Sequence, residues 1–231
     1  MTTQSAFDKN GIEENALVEP SGILDHLNLP PTFVRFLRDN EKTIKIVAIV
    51  IAAVVVVTTL YGSYRQSRVE KAAANLAVAL QAEGDEKAKL LQAVGADFSG
   101  TPGAIWAQVE LAHGLRDVKK YPEAVAGYRQ VRDKISDSDP LYNLLSYAIA
   151  GAEEAGGNSE QALSEYVLLQ NVSGYAGMAY DGQARIHKAQ GDKEKALAVY
   201  EQYLSSFTGN EQNSREKIVV EEKIGRLKAS M

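Results

Sequence analysis

Three histidines, His26, His113 and His187, are the side chains of this 231-residue chain best suited by type to move protons or to ligate a metal. Their spacing sets up neither task. No two of them lie at the separation that puts a pair of imidazoles on one helical face around a metal. No Ser sits in the Gly-x-Ser-x-Gly context that exposes a nucleophile. His26 lies in an N-terminal leader beside Pro30-Pro31, while His113 and His187 read as core or surface residues of helices. The chain has no cysteine, which excludes disulfides, thiolate metal sites and a Cys nucleophile. Gly151, Gly156 and Gly157 fall at a helix end and a turn, not in a phosphate-cradling loop. The acid pairs Glu153-Glu154 and Glu221-Glu222 read as solvated helix faces. Chemistry therefore gives way to binding: the expectation is a scaffold, not an enzyme, with no cofactor or metal.

One apolar run organises the rest. Ile46 to Tyr64 carries no charge, lies between Lys45 and Arg65, and holds three Ile, six Val, one Leu and three Ala. As a helix it would be about 28 Å long, close to the hydrocarbon thickness of a bilayer. Its ten branched aliphatics favour insertion by about 3 to 6 kcal/mol. Valine-rich sequence favours strand in water, but in lipid the backbone must satisfy its own hydrogen bonds, so helix is expected. The run starts too deep in the chain for a cleavable signal peptide and reads as an uncleaved signal anchor. Arg35, Arg38, Lys42 and Lys45 precede it and Arg65, Arg68 and Lys71 follow, a slight bias toward a cytoplasmic N-terminus.

Three parts follow from this: a leader, residues 1–44; a transmembrane helix, 45–64; and a repeat domain, 65–231. After Tyr64 there are 20 Lys+Arg against 23 Asp+Glu, a net of −3 with both signs interspersed. That surface is not basic enough to bind nucleic acid through its phosphates.

The large domain is rich in Ala, Leu, Glu, Lys and Gln with a 3.6-residue period, which is helical composition. Val69, Ala72, Ala73, Leu76 and Leu80 continue the anchor helix to about Gly84, and a second helix runs from Asp85 to Gly95. Then one pattern recurs. Ala124-Val125-Ala126-Gly127-Tyr128, Ala162-Leu163-Ser164-Glu165-Tyr166 and Ala196-Leu197-Ala198-Val199-Tyr200 each read Ala, aliphatic, any, any, Tyr. Each follows a turn signal: Lys119-Lys120-Tyr121-Pro122, Gly156-Gly157-Asn158-Ser159 and Gly191-Asp192-Lys193. Twelve residues before each repeat Ala stands another small residue, Ala112, Ala150 and Ala184. Small residues on both helices of a hairpin let the backbones approach, and the Tyr one turn later covers the join. The pattern resembles the tetratricopeptide repeat, with a period near 34. The expected fold is all-α: a single N-terminal transmembrane helix followed by a tetratricopeptide-like α-solenoid. A last helix, around Asn213 to Leu227, has Val220, Ile224 and Leu227 on one face and reads as the lid of the solenoid, with Asn213 and Glu216 as its cap.

First helices of such repeats line a concave face suited to a peptide. Aligning the repeats puts Val109, His113 and Arg116, then Tyr147 and Glu154, then Asp181, Arg185 and Lys188 on that face. Their mixed charge and single aromatic suit an extended polypeptide. In the leader, Met1 to Glu19 is polar and reads as disordered. Near 32–42, Phe33, Phe36 and Leu37 share one side of a short helix, with Arg35, Arg38 and Lys42 on the others. This stretch reads either as an amphipathic helix in the headgroup region or as the first turns of the anchor helix.

Arg35-Phe36-Leu37 with Asn40-Glu41-Lys42 before the anchor, Pro102-Gly103-Ala104-Ile105-Trp106-Ala107-Gln108-Val109-Glu110-Leu111-Ala112 in the first clear repeat, and Gly191-Asp192-Lys193 through Tyr200-Glu201 at the close form a set of markers. From about Phe33 onward the chain resembles the bacterial ancillary SecYEG translocon subunits, the YfgM-like tetratricopeptide proteins. That resemblance implies an inner-membrane protein with its N-terminus in the cytoplasm and its repeats in the periplasm. It implies as partners the SecYEG-type translocon and a membrane-anchored periplasmic prolyl isomerase-like chaperone, and as role the hand-over of translocated segments to chaperones. The chain departs from the family in a longer leader, with an extra segment from Ser21 to Pro31, and in an extended C-terminal helix. A tethered adaptor for another cell-envelope complex is the alternative.

Overall fold

The computed structural model describes residues 30–207 and 214–231, and every regular element among them is an α-helix. The expected disorder of Met1 to Glu19, the surroundings of His26 and the Asn213 cap lie outside the described residues. The chain divides into two compact units, Met1–Tyr64 and Arg65–Met231.

In the first unit, α1 (Pro31–Asp39) begins on a proline, whose fixed φ and missing N–H suit a helical first position. It ends at Asn40, where the backbone leaves helical values (φ −108°, ψ 17°). The Asn40 backbone N–H and its side-chain amide both donate to the Phe36 carbonyl, at 3.1 and 2.9 Å. The stretch near 32–42 thus covers α1, Asn40 and the first two residues of α2. α2 (Glu41–Gln81) follows at once and carries the apolar run. Its only polar side chains in the middle of that run, Thr58 and Thr59, donate back to the carbonyls of Val54 and Val55 at 2.9 and 2.7 Å. Their hydroxyls therefore present no unmet hydrogen-bonding demand to an apolar surrounding. α2 is long and apolar enough to cross a membrane, and none of its most apolar stretch is buried inside the protein.

In the second unit the end of α2 is followed by α3 (Gly84–Asp97), α4 (Pro102–Asp117), α5 (Tyr121–Arg132), α6 (Pro140–Ala155), α7 (Ser159–Leu169), α8 (Ala176–Ala189), α9 (Lys193–Ser205) and α10 (Ser214–Ala229). From α3 onward each helix packs chiefly on its neighbours in sequence, the arrangement of a solenoid. The repeat positions explain why. Ala112, Ala150 and Ala184 on the first helices, and Ala124, Ala162 and Ala196 on the second, are all buried, as are Tyr128, Tyr166 and Tyr200. Side-chain caps start three of the helices: Thr101 accepts from the Ala104 N–H at 3.3 Å, Asp139 from Leu141 at 2.9 Å and Asp192 from Lys195 at 3.1 Å.

The turns inside the three hairpins share one backbone geometry. Lys119, Gly157 and Gly191 each stand five residues before the repeat Ala and adopt φ of 63°, 83° and 82°. The N–H of the next residue reaches back to the carbonyl of Leu115, Glu153 and His187, closing each first helix in the same way. Where the stack begins, Gly103 of α4 lies so close to Ala72 of α2 that a Cβ there would sit 2.9 Å from the alanine Cβ. At the other end Val220, Ile224 and Leu227 of α10 close over Tyr180, Tyr200 and Tyr203.

Candidate functional site

The first helices α4, α6 and α8 line a groove of about 650 Å³. Six of the eight residues expected to share a face border it: Val109, His113 and Arg116 on α4, Tyr147 and Glu154 on α6, and Arg185 on α8. Val109 forms its floor and belongs to the core, at 1 % exposure. Leu144, Leu145 and Ala148 make the remaining wall largely apolar.

Asp181 and Lys188 stand apart. Asp181 borders a separate groove of about 500 Å³ beside α10, where its carboxylate takes the Lys223 ammonium at 2.5 and 2.6 Å. Lys188 is exposed in the last turn of α8 and borders neither groove. Repeat alignment placed both by helical spacing along α8. It had no means of including α10, which captures Asp181.

The polar centre of the larger groove is a three-residue cluster. Glu154 Oε1 accepts from Arg185 Nε at 2.5 Å, and its Oε2 accepts from Arg185 Nη2 at 2.7 Å and from the Tyr166 hydroxyl at 2.9 Å. Burial by itself would raise the Glu154 carboxyl, but the Arg185 and Tyr166 hydrogen bonds outweigh it and hold the carboxyl below its ordinary value. Tyr166 is pushed upward by burial and then by its bond to that carboxylate. Arg185 is pushed upward by the Glu154 hydrogen bond, against the opposing effect of burial. The Tyr147 ring meets the Tyr166 ring edge-on, with centroids 6.1 Å apart.

On α4, Arg116 donates through Nε and Nη2 to Asp117 Oδ1 at 3.2 and 2.9 Å. His113 packs edge-on against Tyr128 at 5.4 Å, and Glu110 lies 3.6 Å from its Nδ1. Burial raises the Tyr128 phenol to about 12. At neutral pH the groove therefore presents guanidinium groups, neutral phenols and a carboxylate engaged on both oxygens. This array can hold a ligand by charge, hydrogen bond and ring contact.

The pair Glu153-Glu154 is not a solvated face. Glu153 is 5 % exposed, accepts from Arg129 at 2.9 Å and from the Asn158 side-chain amide at 2.7 Å. Both acids bond arginines of neighbouring hairpins. The sequence reading also missed Tyr166 as a groove residue. Its place in the repeat points to packing alone, although a buried Tyr, unlike Phe, needs a partner for its hydroxyl. Among the described residues no group of three or more His, Asp or Glu converges as a metal site.

Residues 35–229 match the family described as tetratricopeptide repeat-like domain. No curated protein matches the chain. Among solved structures, the chain is similar to a crystal structure of nearly identical TPR-like repeats assigned to a kinesin light chain of Podosopora anserina. The two share 20% identity over 71% of this chain and 85% of that one, with a TM-score of 0.48. A single-substitution variant of those repeats matches at 19% identity over the same shares, with the same TM-score.

Proposed function

Because this chain belongs to the tetratricopeptide repeat-like domain family, whose folds mediate protein–protein interaction and are typically non-catalytic, we propose that it is a membrane-tethered scaffold whose groove holds extended polypeptide. The observation that carries this reading is the groove itself. Three successive first helices contribute cations, aromatic rings and an apolar floor along one channel. Apolar side chains of a bound segment fit against Leu144 and Ala148, while Arg116 and Arg185 meet carboxylates or backbone carbonyls. The anchor is the apolar part of α2, supported by its length, composition and complete lack of burial.

The finer assignment follows the resemblance drawn from the sequence. The protein acts as a non-catalytic accessory of the SecYEG-type translocon, in the bacterial inner membrane, with its N-terminus cytoplasmic and its repeats periplasmic. There it passes emerging segments to a membrane-anchored prolyl isomerase-like chaperone. Tethering raises the local concentration of a weak groove to the order of millimolar, so modest affinity suffices and release stays fast.

A photo-crosslinking residue in place of Tyr147, in the groove, should capture polypeptide in intact membranes. The same probe at Leu168, exposed on α7, should not. Detergent pull-down of the intact chain should enrich translocon subunits and the chaperone. Recovery of another envelope complex without them would replace the Sec assignment with that of a tethered adaptor. Equal crosslinking at both positions would refute the groove.

A further inference from the structure

The helix preceding the apolar run has a surface of its own. Phe33, Phe36 and Leu37 stand at i, i+3 and i+4 on α1, one face of the helix, and Arg35 and Arg38 lie on the opposite face. Both phenylalanines project outward, Phe33 at 47% exposure and Phe36 at 56%. Two bulky rings exposed within one turn of a nine-residue helix require a cover that is apolar at one depth and wet at the next.

Charge narrows the choice. Arg35, Arg38, Lys42 and Lys45 stand against Asp39 and Glu41, and Glu41 is already engaged by the Lys45 ammonium one turn on. A net basic segment therefore lies directly ahead of Ile46, where the apolar run of α2 begins. At Asn40 the backbone leaves helical values, although the Asn40 and Ile44 N–H groups still donate four residues back. The axis can turn there, so the rings of α1 need not enter the hydrocarbon core.

We propose that α1 is an interfacial helix that docks on an anionic lipid surface, its phenylalanines at the headgroup–acyl boundary and its arginines among the phosphates. This rests on the reading of α2 as a membrane span. It goes beyond that reading by giving the residues ahead of the span a lipid-binding role of their own. Two signals, a span and a basic aromatic helix, then fix the depth at which the chain leaves the bilayer.

The absence of cysteine makes the test clean, because one introduced thiol takes a nitroxide label uniquely. The full chain is reconstituted in phosphatidylcholine vesicles with and without phosphatidylglycerol, as Val54→Cys, Phe36→Cys, Phe33→Cys or Arg35→Cys. Labels are read by collision with dissolved oxygen, which partitions into lipid, and with a water-soluble nickel chelate. With phosphatidylglycerol, the oxygen-to-nickel ratio at Phe36 and Phe33 should exceed that at Arg35 by about threefold or more. Omitting the anionic lipid, or adding Arg35→Gln with Arg38→Gln to the Phe36→Cys chain, should lower it. If the labels at Phe36 and Phe33 are as open to nickel as that at Arg35 while Val54 is lipid-exposed, the proposal fails and the span stands. Protection of Phe36 and Phe33 from both reagents means a protein partner covers the face, which also overturns it. Exposure of Val54 to nickel would remove the span itself.

Discussion

Charged pairs between helices, not charges within them, tie the hairpins together. Arg132 on α5 forms a fork with Glu165 on α7, Nη1 to Oε2 at 2.5 Å and Nη2 to Oε1 at 3.1 Å, and also donates to Ser146 on α6 at 3.0 Å. Both charged side chains are largely shielded, at 14% and 10% exposure. Removing one partner leaves the other buried and uncompensated. Arg132→Ala should therefore cost about 3 kcal/mol in denaturant unfolding of the full chain in detergent. Exchanging both residues together, Arg132→Met with Glu165→Leu, should cost less than either single change, since no charge is then stranded. Glu154 makes a pH prediction. Its folded carboxyl lies below the ordinary 4.5, so its contribution to stability is complete above that value. It is lost as pH falls through the lowered folded value. Between about pH 6 and pH 3 the unfolding midpoint of the wild type should drop more than that of Glu154→Gln. Equal drops would show that the cluster adds nothing to stability.

At the scale of elements, the three hairpins repeat a backbone more faithfully than a sequence. Gly157 and Gly191 occupy the left-handed position of their turns without a steric penalty, while Lys119 holds the same φ sign with a Cβ. Its N–H donates to the Arg116 carbonyl as those of Gly157 and Gly191 do to Glu154 and Lys188, so the surrounding helices impose the conformation. Lys119→Gly should raise stability by about 0.5–1 kcal/mol, the relieved strain being partly offset by a freer unfolded chain. Thermal unfolding would register this as an upward shift of a few degrees, and a downward shift would contradict the strain. Close helix approach has the opposite tolerance. Gly182 of α8 lies under the Tyr166 ring, where an added Cβ would fall well inside van der Waals distance. Gly182→Ala should cost about 2 kcal/mol through displacement of the ring, and should also disturb the Glu154–Arg185 cluster that the Tyr166 hydroxyl supports.

At the scale of the molecule, the proposed anchor and the repeat unit divide the work. The apolar stretch of α2 is open on all sides within the protein, and the Arg65–Met231 unit carries its own buried clusters from α3 to α10. Full-length chain should stay with membranes through an alkaline carbonate wash, as proteins held by a lipid-buried helix do. Release into the wash would leave the anchor without support. Deleting 31–64, which removes α1 with the apolar run, should free the chain from membranes and keep its helical circular dichroism, because the repeat cores contain none of the deleted residues.

Much of this was legible in the order of residues. Helices follow from a 3.6-residue apolar period, hairpins from Ala112, Ala150 and Ala184 facing Ala124, Ala162 and Ala196, and the apolar helix from an uncharged run bounded by Lys45 and Arg65. These are local properties, settled within a turn or a hairpin. The groove was legible as far as helical spacing reaches, which is why six residues on α4, α6 and α8 fall together. What the tertiary structure alone decided is who pairs with whom. Glu154 meets an arginine 31 residues away and Asp181 a lysine 42 residues away. Glu153, which as a neighbour of Glu154 looked solvated, is buried against α5. Those pairings depend on the stagger between hairpins, and the stagger is fixed by how ridges of side chains settle into grooves across whole helices, a sum no short spacing contains.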